Sequence, residues 1–310
     1  MKSKLIILIF ALVSVIIVFN EDKQDHNQFG SDACGYYLYL PALFIYHDLD
    51  KLSFYPALDS EYNHTLEIQC SLYNINGNKL DKYPVGVALF ELPFFLFAHA
   101  YSYSTHQYKT DGFSIPYQLA GIFSNILWVV IGLFVLRKFL KRYFSDNITA
   151  LTIICVTFGT NLYAYNSFII GMSHPYSFFL FACLLLLTDE WYSKPPEWLT
   201  SLLLGLVLGF IFIVRPINLI AIIIPLFWMV SSSSSLKERV KLFNENYRHI
   251  LITLVVFISI VFVQFGYWRY ITGHWLFYSY IDEGFNFLHP HIVKGLFSYR
   301  KGWFVYTVLS

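Results

Sequence analysis

Apolar runs recur along the chain at 5–19, 84–101, 117–136, 148–165, 173–188, 200–214, 216–230 and 249–267, and another begins near Trp303. A soluble domain has no way to bury so many apolar stretches of helical length around one core. Several are shorter than the ~20 residues a perpendicular membrane helix needs, and a bundle tolerates this by thinning the bilayer locally. Composition agrees: 56% of residues are hydrophobic, 20% aromatic and only 13% charged, where soluble domains carry about 25% charged residues. The expected fold is all-α, a polytopic membrane helical bundle, with 1–310 as a single transmembrane domain. A net charge of +1 and the lack of a basic stripe argue against a nucleic-acid partner.

Charge placement sets the expected topology. Lys2 and Lys4 precede the first run; Arg137, Lys138, Lys141 and Arg142 lie in RKFLKRYFSDN; Lys237, Arg239, Lys241 and Arg248 lie in SSSSSLKERVKLFNENYRH. The positive-inside rule puts all three in the cytoplasm. The segment from Asn20 to Lys82 is acidic and holds no arginine, so it suits the outer side. Parity then becomes a problem. A crossing at 84–101 would carry RKFLKR outside. That run, PVGVALFELPFFLFAHAY, contains Glu91, Pro93 and His99, which fit an interfacial helix better than a lipid-facing one. The expectation is therefore one long outer loop, 20–116, with interfacial helices near 34–47 and 84–101. Spans follow at 117–136, 148–165, 173–188, 200–214, 216–230 and 249–267. The alternative has 84–101 crossing and a second, unrecognised crossing restoring parity.

The opening MKSKLIILIFALVSVIIVFNEDK resembles a signal peptide, but no small-x-small cleavage site follows it, and it reads as an uncleaved anchor. Cys34 and Cys70 fall in one polar segment, where an outer location permits a disulfide, whereas Cys155 and Cys183 sit in apolar runs as packing residues. Asn63-His-Thr65 matches a glycosylation sequon.

Chemistry-bearing residues gather on the outer side of this map. They are Asp32 just past the first run, Lys82 in KYPVG, His174 in GMSHPYSFF, Arg215 in FIVRPINL, and Arg269 and Glu283 in the last outer segment. Each also has a plain role: Asp32 as a loop acid or helix cap, Lys82 as a snorkelling side chain, Arg215 as a headgroup contact, and Arg269, Arg300 and Lys301 as interface anchors. Asp48 and Asp50 read as a helix end and a turn. Tyr36, Tyr37 and the other tyrosines form an aromatic belt first and a sugar platform second. Taken together, a carboxylate can accept a proton from an attacking hydroxyl, and lysine and arginine can neutralise a phosphate leaving group. Such parts suit transfer from a lipid phosphate to an acceptor.

The series DACGYYLYLP (32–41), KYPVG (82–86), DGFSIPYQ (111–118), FGTNLYAY (158–165), MSHPYSFF (172–179), VRPINL (214–219), YSYIDEGFNF (278–287) and LFSYRKGWFVYT (296–307) resembles the GT-C superfamily of integral membrane glycosyltransferases. Relatives there include the protein O-mannosyltransferases and the aminoarabinose transferases of lipid A, and the likeness is nearest to a bacterial branch of a kind common in Bacteroidota. The resemblance implies two juxtamembrane helices in the first outer loop and Asp32 as catalytic base. It implies a donor-phosphate role for Lys82, with Tyr83 standing where that family's Lys-Pro-Pro motif has its first proline. Arg215 and Arg269 become phosphate ligands by position, and His174, Glu283, Tyr36 and Tyr37 substrate-binding residues. The implied partners are a polyprenyl-phosphate sugar, a lipid, glycan or protein acceptor, and membrane lipids. No cofactor is expected, although some relatives use a divalent cation. The expected location is a bacterial inner membrane, with the N-terminus cytoplasmic and the site on the outer face. Family chains usually run on through more spans, so the stop at Ser310 reads as a truncated form. Two other function classes remain open: a transporter or flippase for a glycolipid, and a non-catalytic membrane assembly protein.

Overall fold

The computed structural model describes residues 2–20, 30, 32–66, 70–281, 283–284, 288–299 and 302–306. Arg300 and Lys301 lie outside them. Helix makes up 72% of the structure and strand 3%, an all-α fold with one small exception. The helices are α1 Lys2–Asn20, α2 Asp32–Phe44, α3 Tyr55–Leu66, α4 Gly86–Thr105, α5 Ile115–Leu140, α6 Asp146–Phe158, α7 Leu162–Ser167 and α8 Ser173–Ser193. They continue with α9 Trp198–Val214, a 3-10 turn Pro216–Ile222, α10 Ile223–Phe227, α11 Ser233–Glu245, α12 Tyr247–Thr272, α13 Ile292–Phe297 and α14 Trp303–Tyr306. The exception is a hairpin, β1 Leu72–Ile75 and β2 Asn78–Asp81, absent from the all-helical reading. Its two-residue turn, Asn76-Gly77, has φ of 52° and 82°. Positive φ at both central residues is what a tight hairpin turn requires, and Asn-Gly supplies it cheaply.

Among the described residues, two helices, α5 and α12, are long and apolar enough to cross a membrane by length and composition. Each has 26 residues, about 39 Å at 1.5 Å per residue. Two runs read from the sequence as continuous spans are broken. The run at 148–165 stops at Phe158, and Thr160 Oγ1 accepts from Leu162 N at 3.1 Å to start α7. The run at 216–230 starts as a 3-10 turn, because Arg215 is extended (φ −159°) and Pro216 has no N–H to continue α9. Its helical part ends at Phe227 and spans about 21 Å, short of the ~30 Å hydrocarbon layer.

Helices α5 and α8 run side by side in one direction, α9 and α12 run together in the other, and their ends sort the charges. At one end, Arg137 Nε donates to Ser3 Oγ at 2.8 Å, and Arg142 pairs with Asp189 at 2.5 Å and with Glu190. Here too the Arg239 guanidinium lies 3.7 Å from the centre of the Tyr192 ring, and Ser201 meets His249 at 3.1 Å. The three basic segments therefore share one end. The starts of α2, α5 and α8 and the ends of α9 and α12 form the other.

Helix α4 does not run from end to end. Its flanks return to one turn of α2: Tyr39 donates to Tyr83 O at 2.6 Å, and Tyr37 to Gly112 O. Between them α4 lies along the first half of α5, with Phe90 against Trp128 (4.9 Å) and His99 against Tyr117 (6.1 Å). The sequence reason is its mixed face. Phe90 and Phe95 are buried, while Phe97 and Tyr103 stay exposed.

Helix α2 is buried from Ala33 to Ala42. The Cys34–Cys70 disulfide fastens it to the segment before β1, with a Cα separation of 5.0 Å. Asp48 closes the turn after α2 by accepting from the backbone N–H of Lys51, Leu52 and Ser53. The disulfide joins cysteines 36 positions apart. Loop-closure entropy then gives about 4 kcal/mol in the chain-entropy model. Replacing both with serine should lower the unfolding free energy in detergent by about 2–4 kcal/mol. Without reductant, a thiol reagent should label Cys155 and Cys183 alone; labelling of Cys34 would remove the bridge.

Candidate functional site

The end of the bundle away from the basic segments is assembled around the hairpin. Strand β2 is pinned to α12: Asp81 N donates to Tyr267 Oη at 2.8 Å, and Asn78 Nδ2 to Ile271 O at 2.9 Å. Chain direction then delivers Lys82 and Tyr83 directly to the start of α2. Tyr83 Oη donates to Asp32 Oδ1 at 2.5 Å, and its ring lies 4.8 Å from that of Tyr36. Burial first, and then Asp32's charge, push the Tyr83 phenol well up, so it stays protonated as a donor.

Two glycines permit this arrangement. A Cβ on Gly35 would fall 2.4 Å from the Tyr83 ring and 2.7 Å from Asp81 Oδ1. A Cβ on Gly86 would fall 2.4 Å from Val214 N and 2.5 Å from the Ile213 carbonyl carbon. The second approach is backbone to backbone, so no rotamer change relieves it. It couples KYPVG to VRPINL and sets Arg215 beside the same cluster.

From α8, Ser173 Oγ accepts from Tyr36 Oη at 3.1 Å. Next to it the His174 ring stacks on Tyr165 at 3.9 Å, and Arg215 Nη1 approaches His174 Nε2 at 3.2 Å. The segment after α12 covers the other side. Ser279 Oγ donates to Lys82 O at 2.7 Å, and the Tyr280 ring lies 4.9 Å from Lys82 Nζ. Lys82 Nζ pairs with Glu283 Oε1 at 2.5 Å, with 11% of the lysine side chain exposed against 59% of the glutamate. Burial pushes the Lys82 ammonium down, Glu283 pushes it up, and the net shift is upward. Tyr36 and Tyr280 respond to several of these charges at once. Burial raises both phenols most; Arg215 pulls them down and Asp32 pushes them up.

Thus Asp32, Tyr36, Lys82, His174, Arg215 and Glu283 come together from five segments. Two residues expected with them do not. Tyr37 is rotated about 100° from Tyr36 on the helix and packs on the far side, against Phe95 (6.0 Å) and Phe113 (5.7 Å). Arg269 is exposed in the last turn of α12, because Tyr267, Trp268, Ile271 and Thr272 take the buried positions there. Its charge suits the helix C-terminus instead. Tyr83, Tyr280, Ser173, Tyr165 and Asp81 are site residues that the sequence reading passed over. Tyr83 carried a signal, as the one departure from the Lys-Pro-Pro pattern. Among the described residues, no group of three or more His, Cys, Asp or Glu side chains is placed to hold a metal ion. No protein-family model, curated protein or solved structure matches the chain.

Asp81 forms the floor of the site. It is 3% exposed; Oδ1 accepts from Tyr83 N at 2.9 Å, while Oδ2 has no hydrogen-bond partner. Burial holds its pKa well above the usual carboxylate range. The folded state therefore keeps a proton that the unfolded chain loses near pH ~3.9. The associated stability is complete below that pH and fades as pH rises toward the folded-state pKa. Asp81→Asn does not titrate and keeps the acceptor for Tyr83 N. Its thermal stability relative to the parent should increase steadily from pH 4.5 to 8, followed by melting in detergent. A gap independent of pH would mean that Asp81 is ionised in the native protein.

Proposed function

We propose that this chain is a polytopic membrane glycosyltransferase of the GT-C kind, moving a sugar from a polyprenyl-phosphate donor to an acceptor hydroxyl at the outer membrane face. The observation that carries the reading is the meeting of one carboxylate, Asp32, with two cationic groups, Lys82 and Arg215, among tyrosine rings. All lie at the end of the bundle opposite its basic segments. Support for a membrane setting comes from the outward faces of the helices. Leu8 and Leu12 on α1 and Leu251, Val255 and Phe262 on α12 are each about half exposed, a burden that lipid accepts and water does not. With the basic end cytoplasmic, the N-terminus is inside and the site faces out, in a bacterial inner membrane.

In this reaction the acceptor oxygen attacks the anomeric carbon while its proton passes to the Asp32 carboxylate. The bond from that carbon to the phosphate oxygen breaks, and its electron pair leaves with the polyprenyl phosphate. Lys82 and Arg215 stabilise the charge that grows on the leaving oxygen. A single displacement inverts the anomeric centre. Tyr36, Tyr83 and Tyr280 supply faces for the sugar, and His174 buttresses Arg215.

Asp32→Asn should cut transfer from a polyprenyl-phosphate sugar by roughly 10²–10⁴-fold, the usual worth of a general base, with donor binding nearly intact. Undiminished transfer would sink the assignment. Glu283 tests the phosphate role separately. A half-exposed ion pair is worth about 0–1 kcal/mol, so freeing Lys82 with Glu283→Gln should tighten donor binding by no more than about fivefold. Lys82→Ala should weaken it. If neither changes the donor dissociation constant, the phosphate does not meet Lys82.

Polar groups buried inside the bundle are what the transport reading would draw on. Glu91 is buried within the bundle and accepts from Tyr176 Oη at 2.8 Å, and Asn166 Nδ2 donates to Ser14 Oγ at 2.7 Å. These groups bond across helices, a common fastening in apolar surroundings. Glycolipid translocation by vesicles holding the Asp32→Asn protein would favour transport over transfer.

A further inference from the structure

Away from Asp32, at the far end of α2, lies a second concave region. A cavity of about 520 Å³ is lined by Tyr46, Tyr103, His106, Tyr108, Lys109 and Asp111, among others. An adjoining apolar groove of about 610 Å³ runs between α4 and α5, with Pro93, Phe97, Leu119 and Phe123 in its walls. Tyr108 lines both. Each volume falls within the range of small-molecule sites.

The chemistry of the first cavity selects its ligand. Its charged side chains already hold partners: Lys109 pairs with Glu61, and Asp111 accepts from Tyr62 Oη at 2.5 Å and from Phe113 N at 2.8 Å. What is offered is flat aromatic surface beside hydrogen-bonding groups. Tyr46 is held in plane by stacking on Phe54 at 4.0 Å and 5°. Tyr103 is 67% exposed and lies 6.0 Å from the His106 ring. A φ of 54° turns the chain at His106 as α4 ends and brings that ring back over the cavity. A neutral polyhydroxylated ring with apolar faces matches such a surface. The apolar groove sharing Tyr108 then takes a hydrocarbon chain.

We infer that the paired cavities around Tyr108 bind a neutral-headed glycolipid, saccharide in the polar cavity and chain in the groove between α4 and α5. The site is distinct from the transfer centre. Helix α2 separates the two by about 18 Å, the rise from Asp32 to Phe44. Binding there is independent of whether Asp32 is a base, and it is read without any transfer assay.

The test uses the full chain in phosphatidylcholine nanodiscs, titrated with glucose, hexyl β-glucoside and hexanol and followed by saturation-transfer NMR. Hexyl glucoside should bind at least tenfold more tightly than either glucose or hexanol. Tyr108→Ala and Tyr103→Ala should each weaken it at least fivefold, and Phe97→Ser should weaken the glucoside while leaving glucose unchanged. Tyr103 is exposed enough that its replacement leaves the fold intact if the Tyr108 variant does not. Equal binding of glucoside and hexanol, or of glucoside and glucose, would overturn the inference, as would tyrosine variants that bind like the parent. Donor turnover measured on the same samples reports separately on Asp32.

Discussion

Everything at the candidate site depends on two close approaches that only glycine allows. Gly35 lets the Tyr83 ring and the Asp81 carboxylate lie against the backbone of α2, and Gly86 lets the first turn of α4 touch the last residues of α9. The first contact brings Tyr83 within hydrogen-bonding distance of Asp32. The second brings Arg215 to the same place, because Arg215 follows directly from the touched residues. Backbone contact of this kind leaves little freedom. Chemistry-bearing side chains are held by the packing of helices rather than by loops alone, and a pre-organised site needs that.

The hairpin converts this packing into position. Lys82 and Tyr83 would be mobile if a loop joined α3 to α4 directly. Instead β2 is tied to Tyr267 and Ile271 on α12 by two hydrogen bonds, and the Cys34–Cys70 bridge ties its approach to α2. A two-stranded hairpin alone is marginal in water, so these attachments give it a fixed place. The cost falls on Asp81. Its carboxyl is buried at the crossing of α2, β2 and α12, with one oxygen unpartnered. Such a group persists when the geometry it supports matters more than the stability it removes.

Much of this was legible in the sequence, for physical reasons that can be named. Apolar runs mark helices, and charge parity separated the 84–101 helix from the others. In the structure that helix returns to α2 at both flanks. Asp32, Lys82, His174 and Arg215 stand out because polar residues are conspicuous beside apolar runs, and the structure brings them together. What was not legible depends on phase and on local turns. Tyr36 and Tyr37 are neighbours in sequence, and only the helix rotation decides which one faces the cluster. Arg269 failed for the same reason. The break after Phe158 and the 3-10 start at Pro216 were hidden because hydropathy registers neither the Thr160 hydrogen bond to Leu162 nor a missing proline N–H. The Asn76-Gly77 turn was a readable signal that the apolar pattern around it obscured.

The Lys82–Glu283 pair bears on how such a site meets a phosphate. Burial disfavours the Lys82 charge, Glu283 favours it, and the net shift is upward, so the ammonium is charged while the site is empty. The same carboxylate occupies one face of Lys82 and, in the proposed reaction, would yield to the donor phosphate. Because Glu283 is far more exposed than Lys82, its release into water costs little. The proposed donor is a phosphodiester with a single negative charge, so it would replace the Glu283 carboxylate at Lys82 charge for charge. Arg215 makes the complementary arrangement. Its neighbour His174 is itself a base rather than an acid, so Arg215 gives up no ion pair with His174 on binding an anion. In the proposed reaction, one cation exchangeable with a carboxylate and one beside stacked rings would together hold the donor phosphate.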